Sequence, residues 1–414
     1  MKNKILIINQ VFWPDNINTA RHISELAEEL VKRGWNVTAL ISNRSYIDNK
    51  KIITPSIGNW NGVKYIRVYT PPLTQKKNSQ RLLSAIWLIF FWALKLPFIG
   101  KFDAIILGTN PPFAYLLAPY IRLIKRKTKI LMWGFDLYPE AIIVSGTKTW
   151  KMIGSFIKPL VKFCYKRIDV IIDIGPCMRN IYRSYKHSAQ EVTLPPWSFV
   201  EPTNIMTPHY KTRQDLFGNS KLTLLYSGTI GNAHEFENFL LLARELLKRN
   251  ASVTFCFAGF GNRFDDLKKQ VTEKDLNIRF AGFVNSDEEL EQRLSSADFI
   301  LISLKKSWTG ISIPSKFFGA IATGNAIMFS GSKNSSLNLW TKEYNLGYHL
   351  TNHNINEIAD LLCKISLNPE MIKNMRENAF NIYKTHFSKK IICDSWHTLL
   401  KNTIEQNTTK DRLS

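Results

Sequence analysis

The chain reads as an α/β protein built on parallel sheets, and three observations carry that reading. Short β-prone runs alternate with helix-period stretches. In the second half these runs end repeatedly in glycine, serine or asparagine: LTLLYSGTIGNAHEF (222–236), VTFCFAGFGNRFDDL (253–267), IRFAGFVNSDEEL (278–290), ADFILISL (297–304) and IPSKFFGAIATGNAIMFSG (313–331). Finally, 414 residues with 45% hydrophobic content suffice for two domains of about 150–200 residues each.

In the first half, strands are expected at 5–9, 36–41, 64–69, 104–108, 129–134 and 170–175. Helices at about 18–33, 80–95, 112–125, 149–166 and 177–185 separate them. The stretch LPPWSFVEPTNIMTPHY (194–210) carries four prolines and little periodicity, which marks a linker region. The expected division is a first domain over 1–202, a linker over 203–220, a second domain over 221–386 and a last helix over 387–405. The tail 403–414 reads as frayed. No period of 20–50 residues repeats, which argues against a solenoid.

Five scattered cysteines, with no C-x-x-C spacing, argue against a disulfide framework or a zinc site and for a reducing compartment. The opening ILII run is too short for a signal-peptide core. The expected location is therefore cytoplasmic.

Charge is uneven. Of the net +22, residues 1–205 hold 29 Lys+Arg against 12 Asp+Glu, and residues 206–414 hold 26 against 21. A basic first half suits an anionic membrane or a nucleic acid. No aromatic-basic stacking cluster supports nucleic acid. Two features support an anionic membrane surface. LLSAIWLIFFWAL (82–94) is apolar around its whole circumference and is flanked by Lys76, Lys77, Arg81, Lys95 and Lys101. It is short for a span. TWKMIGSFIKPLVKFCYKR (149–167) sets Lys151, Lys158, Lys162 and Lys166 on one face, with Trp150, Ile153, Ile157, Leu160 and Cys164 opposite. The plainer alternatives are a buried helix and a solvated lysine face.

Glycine at the carboxyl end of a parallel strand lets backbone N–H groups approach a phosphate. Gly228, Thr229 and Gly231 form one such end, and Gly259 and Gly261 another. Pro314-Ser315-Lys316 stands at a helix start, where N–H groups and one ammonium suit a diphosphate. The plainer readings are turns that need positive φ, and a surface lysine beside a serine cap. Together the three segments point to a nucleoside-diphosphate pocket.

The order of these motifs over most of the chain resembles the family 4 glycosyltransferases, in the branch that builds bacterial surface polysaccharides. KILIINQVFWPDNINTARHISELAEELVKRGWNVTALISN (4–43) is similar to that family's opening strand, loop and helix. FAGFG, FAGFV and ATGNAI are similar to its nucleotide-binding half. The resemblance implies the GT-B fold, two Rossmann-like domains facing across a cleft, with the last helix crossing back to the first domain. The spacing of Ile391, Ile392, Trp396, Leu399 and Leu400 suits such a helix.

The resemblance also implies transfer of a sugar from a nucleoside-diphosphate donor, UDP-linked, to a polyprenyl-diphosphate-linked saccharide at the inner membrane face. It implies retention of configuration. No D-x-D pair stands at a strand end, so no metal and no other cofactor are expected.

By position in the family, Asp136 and then Glu140 are the catalytic candidates, in WGFDLYPEA (133–141). Asp15, Asn16, Arg21 and Asn110 fall where acceptors approach. Two departures stand out. The family's paired glutamates fall on Ile311 and Gly319, and its lysine after the first glycine turn is replaced by His234, which joins the donor-binding candidates. The missing glutamates motivate an alternative, an inactive relative acting as a partner subunit. A basic nucleic-acid-binding protein and a sugar-nucleotide epimerase are the remaining alternatives.

Overall fold

Runs such as Ile5–Ile8 and Leu222–Tyr226 are buried along their whole length, as strands covered on both faces must be. A computed structural model of the protein describes residues 3–73, 78–146 and 148–413. They divide into two units, residues 1–195 with 392–414, and residues 196–391.

The first unit runs β1 (Lys4–Ile8), α1 (Asn18–Lys32), β2 (Asn36–Ser42), β3 (Ile57–Trp60), β4 (Val63–Val68), α2 (Asn78–Lys95), β5 (Ala104–Leu107) and α3 (Leu117–Ile124). It continues with β6 (Lys129–Trp133), α4 (Glu140–Ser145), α5 (Lys148–Phe156), α6 (Lys158–Tyr165), β7 (Val170–Asp173), α7 (Pro176–Ser184) and β8 (Gln190–Thr193). The sheet order is β3-β4-β2-β1-β5-β6-β7-β8. All its pairs are parallel except the β3–β4 hairpin, which turns at Asn61 and Gly62, both with positive φ.

The second unit runs α8 (Tyr210–Phe217), β9 (Leu222–Thr229), α9 (Glu237–Lys248), β10 (Val253–Phe260), α10 (Phe264–Lys269), β11 (Ile278–Ala281), α11 (Asp287–Ser295) and β12 (Phe299–Ser303). Then come α12 (Lys316–Ala322), β13 (Ala326–Ser330), α13 (Ser336–Glu343), β14 (Gly347–Leu350), α14 (Ile355–Leu367), α15 (Lys373–Ile382) and α16 (Lys389–Leu413). The sheet is all parallel, in the order β11-β10-β9-β12-β13-β14.

From Ile392 onward α16 counts with the first unit. There Trp396 is fully buried and meets Trp133 edge-on at 5.1 Å, and the Trp35 indole N–H lies 3.0 Å from His397 Nδ1. Arg33 pairs with Asp394 at 2.9 Å.

Three expectations change. The unit boundary lies at Pro195–Pro196, because the following stretch packs into the second unit: Tyr383 donates to Glu201, and the Ser198 N–H donates to the Tyr383 hydroxyl at 2.9 Å. The helix expected over 149–166 is two helices, α5 and α6, since Pro159 stands in the first turn of α6 and has no N–H to continue α5. The tail expected to fray continues α16 to Leu413.

Candidate functional site

The second sheet reverses its winding between β9 and β12, which are neighbours. In open parallel sheets, ligands lie beyond the carboxyl ends of the strands at such a reversal. The loops leaving both strands are joined there. The Lys305 N–H donates to Ala233 O at 2.8 Å, and the Glu235 N–H donates to Ser303 Oγ at 2.7 Å.

Lys316 reaches this point from α12. Its Nζ lies 3.3 Å from Thr229 O and 4.7 Å from the centre of the Tyr226 ring. A side-chain carbon added at Gly228 would come within 3.1 Å of Lys316 Cε, so the glycine turn and the lysine are in contact. Burial pulls the ammonium down to about 8. His234 is pulled down further, to about 3, first by burial and then by Lys316 and Lys305. It is therefore a neutral imidazole at physiological pH, with one N–H donor and one acceptor. Neither ring nitrogen has a hydrogen-bond partner among the described residues. Lys305, the first of two lysines and the second residue after β12, was not among the expected site residues; basic residues near a strand's carboxyl end were the available signal.

The glycines separate into two kinds. Gly228, Gly259 and Gly261 have φ of 126°, 140° and 144°, a region L side chains rarely adopt. A side-chain carbon would sit 2.0 Å from Gly228 O at Gly259, and 2.1 Å from Ile230 O at Gly261. Gly259 and Gly261 are thus required by the close approach of the β9 and β10 ends, which accounts for them without a ligand. Gly231 has no positive φ, and its nearest neighbour would be 3.8 Å away. The fold does not require glycine there.

The helix start also differs from expectation. α12 has seven residues, and Ser315 makes no side-chain cap. Lys316 itself, rather than a helix terminus, is the positive group this segment presents. The two places expected for glutamates hold a buried Ile311 and Gly319, which packs toward Leu294.

In the first unit the sheet reverses between β1 and β5, and the loops beyond them carry the other candidates. The Gln10 N–H donates to Asn110 O at 2.5 Å. Three buried amide oxygens here, Asn9 Oδ1, Gln10 Oε1 and Asn110 Oδ1, have no partner among the described residues.

Asp136, half-buried after β6, lies in a group with Tyr46, Arg81 and Tyr138. Burial pushes the Tyr46 hydroxyl up; Arg81 opposes that and Asp136 adds to it. The Tyr138 hydroxyl is raised by burial and then by Asp136. Asp15 accepts from the Tyr46 N–H at 3.2 and 3.3 Å, and burial raises its carboxyl. Its carboxylate therefore fixes the loop after β2. Asn16 is exposed, and Arg21 lies 3.9 Å from Glu25 on α1.

Glu140 departs from the expectation that it shares Asp136's surroundings. It accepts from the hydroxyl of Tyr185, the residue that follows α7, and its charge is felt by Tyr115, Tyr165 and Tyr182 as well. Its carboxylate is directed into a tyrosine-lined interior.

The basic first unit also exposes apolar surface. No helix of the described residues is long and apolar enough to cross a membrane. Nor is α2 a buried helix. Leu83, Ile86, Trp87, Phe90 and Leu94 form an exposed stripe at helical spacing, while Ala85, Leu88 and Trp92 face inward. On α5 and α6 the apolar face opposite the lysines is partly outward: Ile153 and Leu160 are exposed, together with Met152, Phe156 and Phe163, while Cys164 is buried. Lys151, Lys158 and Lys166 stand exposed among them. Lys76 and Lys77 lie outside the described residues, as does the side chain of Trp150.

Residues 211–382, within the unit that gathers Lys316, His234 and the glycine turn, match the family Glycosyl transferases group 1. The match covers less than half of the chain. The chain is 23% identical over 312 residues, 70% of its length and 75% of the other's, to the Probable glycosyltransferase WbjE of Pseudomonas aeruginosa.

Among solved structures it is similar to HepE of Anabaena in complex with UDP and glucose, with a TM-score of 0.65 and 13% identity over 97% of this chain and 100% of that one. It is also similar to WaaG, a glycosyltransferase involved in lipopolysaccharide biosynthesis, with a TM-score of 0.62 and 15% identity over 94% and 98%. At these identities the structural likeness speaks for the fold alone. Two parallel-sheet α/β units with such neighbours constitute a GT-B fold, and the segment that matches the family model lies in the second unit.

Proposed function

We propose that the protein transfers a sugar from a nucleoside-diphosphate donor, UDP-linked, to a lipid-linked saccharide at an anionic membrane surface, in bacterial surface polysaccharide synthesis. The observation that carries this reading is the gathering of Lys316, His234 and Lys305 at the reversal of the second sheet. Lys316 rests on a carbonyl oxygen and an aromatic ring. A desolvated ammonium and an unpartnered imidazole are costly unless an anion completes them. A diphosphate supplies that charge, and it is also the group on which negative charge grows as the sugar departs.

Asp136 would stabilise the positive charge that develops at the sugar carbon. The orphaned oxygens of Asn9, Gln10 and Asn110 would accept from acceptor hydroxyls. The exposed apolar stripe and the lysines support a lipid-borne acceptor. No resident metal is part of the proposal; Asp265 and Asp266 lie on α10, where Asp266 pairs with Arg263 at 3.0 Å. Retention of configuration is carried by the family resemblance.

The test is to incubate the purified protein and bacterial membranes with a panel of radiolabelled nucleotide sugars, then extract the lipid phase. One labelled sugar should appear in lipid-linked product, dependent on Lys316. Unchanged nucleotide sugars across the panel, by a protein that still binds UDP, would favour an inactive partner subunit.

A further inference from the structure

The first unit contains a cavity of about 190 Å³ between α2, α4, α5, α6 and the turn at 113–116. Its lining is aliphatic and aromatic, with no charged side chain. The hydroxyl of Tyr115, which lines it, is directed to Tyr138 O at 2.9 Å. An apolar hollow of about 150 Å³ takes up benzene and stays dry otherwise. This one is slightly larger and reaches the surface, because Ile86, Ile153 and Leu160 line it and are themselves 56%, 41% and 49% exposed.

Charge and continuity indicate what enters it. The exposed lining residues Ile153 and Leu160 stand on α5 and α6, the helices that also expose Lys151, Lys158 and Lys166, and these lysines suit an anionic lipid surface. Phe113, Tyr115 and Leu116 of the lining follow β5 in the segment that carries Asn110, and Ile142 of the lining stands on α4, six residues after Asp136. Phe113 of the lining packs against Tyr138 at 5.9 Å between ring centres, and the Arg81 guanidinium lies 5.9 Å from the centre of that ring. A molecule with its hydrocarbon in the cavity and its phosphate toward Arg81 would therefore place its head beside Asp136. A bulk phospholipid has no reason to follow this wall; a phosphate-linked acceptor has.

We infer that the cavity seats a segment of the isoprenoid chain of the lipid-linked acceptor, so that the acceptor is held by its hydrocarbon as well as by its saccharide. The inference rests on the proposed transfer to a lipid-linked saccharide.

Farnesyl diphosphate, used below its aggregation threshold, is a soluble probe. By calorimetry it should bind the full chain about a hundredfold more tightly than inorganic diphosphate, the worth of three to four buried methylene groups. Ala85→Leu and Leu116→Trp, each filling the cavity from a different side, should weaken that binding about tenfold or more. UDP affinity and flotation with anionic vesicles should remain at wild-type values.

The inference is overturned if farnesyl diphosphate binds no better than inorganic diphosphate, or if both filled variants, folded and binding UDP, bind the chain as the wild type does. Should neither variant fold, a diazirine-bearing farnesyl diphosphate decides on the wild type. Crosslinks on α2, α5 or α6 support the cavity, and crosslinks elsewhere overturn it. Chain binding with no sugar transfer would remove the transferase reading and leave the cavity. Undiminished transfer to a polyprenyl acceptor in the filled variants would do the reverse.

Discussion

The carboxyl edges of the two sheets differ in what they leave unfinished. In the first unit the charges are mostly answered from within. Asp15 takes the Tyr46 N–H, Glu140 takes the Tyr185 hydroxyl, and Arg21 lies near Glu25. Among the described residues, what the loops after β1 and β5 leave is a set of orphaned amide oxygens, acceptors that want donors, and Glu140 keeps one carboxylate oxygen, Oε2, without a partner. In the second unit the remainder has the opposite character: a half-buried ammonium, a second lysine and a neutral imidazole with no partner among the described residues. On the proposed function, one edge accepts hydroxyl hydrogens and the other an anion. A sugar acceptor and a nucleoside diphosphate have those complementary chemistries.

The largest expected effect concerns the two carboxylates of the first unit. Asp136→Asn should lower turnover about a hundredfold to a thousandfold, roughly 2.7–4 kcal/mol of transition-state stabilisation, with UDP affinity unchanged by calorimetry. Glu140→Gln should instead mainly lower thermal stability, by about 1 kcal/mol, since its carboxylate serves the Tyr185 contact. Equal losses of turnover in the two would erase the distinction drawn here between them.

Next in size is a pair of glycines in the second unit. Gly259→Ala, strained by its φ and pressed against Gly228 O, should cost roughly 2–4 kcal/mol in denaturant unfolding. Gly231→Ala meets nothing closer than 3.8 Å and should stay within about 0.5 kcal/mol of wild-type stability. If the Gly231 backbone lies against the diphosphate, the added methyl should still weaken UDP binding. Undiminished UDP affinity would reduce Gly231 to an ordinary loop residue.

Lys316→Met tests the anion edge more gently. UDP affinity should fall about tenfold to a hundredfold, the loss of a charge-assisted hydrogen bond of roughly 1.5–3 kcal/mol. Stability without ligand should move the other way. The folded pKa of about 8 lies below the ordinary 10.5, so the charged lysine destabilises the ligand-free fold below pH 8. That penalty fades as pH rises from 8 toward 10.5. The methionine variant should therefore melt higher than wild type at pH 7, and the two should converge at high pH. A lower melting temperature at pH 7 would make Lys316 a structural residue.

The smallest effect per residue concerns the lysines of α5 and α6. Replacing Lys158, Lys162 and Lys166 by Gln should weaken flotation with anionic vesicles by about 1 kcal/mol per lysine at low salt. It should also remove most of the salt dependence, because insertion of apolar side chains is not screened. Unchanged flotation would mark the lysines as a merely solvated face.

Much of the fold was legible because its signal is local. Buried strands are apolar runs, and those expected in both halves appear in the sheets. β3, β8 and β14 were missed: two are short edge strands with polar residues, and β3 is a four-residue arm of a hairpin. The break at Pro159 was legible but was outweighed by helical periodicity. The site was legible as a set of segments but not as a set of roles. That Gly259 serves the neighbouring backbone, that His234 is neutral and that Lys305 stands beside it all depend on contacts between residues distant in the chain. Asp136 and Glu140, four residues apart, look alike in sequence and are separated only by the direction of their side chains.

The central claim, that the second unit's edge is an anion site completed by a nucleoside diphosphate, is tested most directly by proton uptake. An ammonium titrating near pH 8 in the free protein should bind a proton when the diphosphate raises its pKa. Calorimetry of UDP binding at pH 8, repeated in buffers of different ionisation enthalpy, measures that uptake. The expected result is a fractional uptake of about half a proton per UDP, absent in Lys316→Met, with wild-type affinity steady below pH 8 and falling above it. UDP binding without proton uptake, or with the same uptake in Lys316→Met, would contradict the claim.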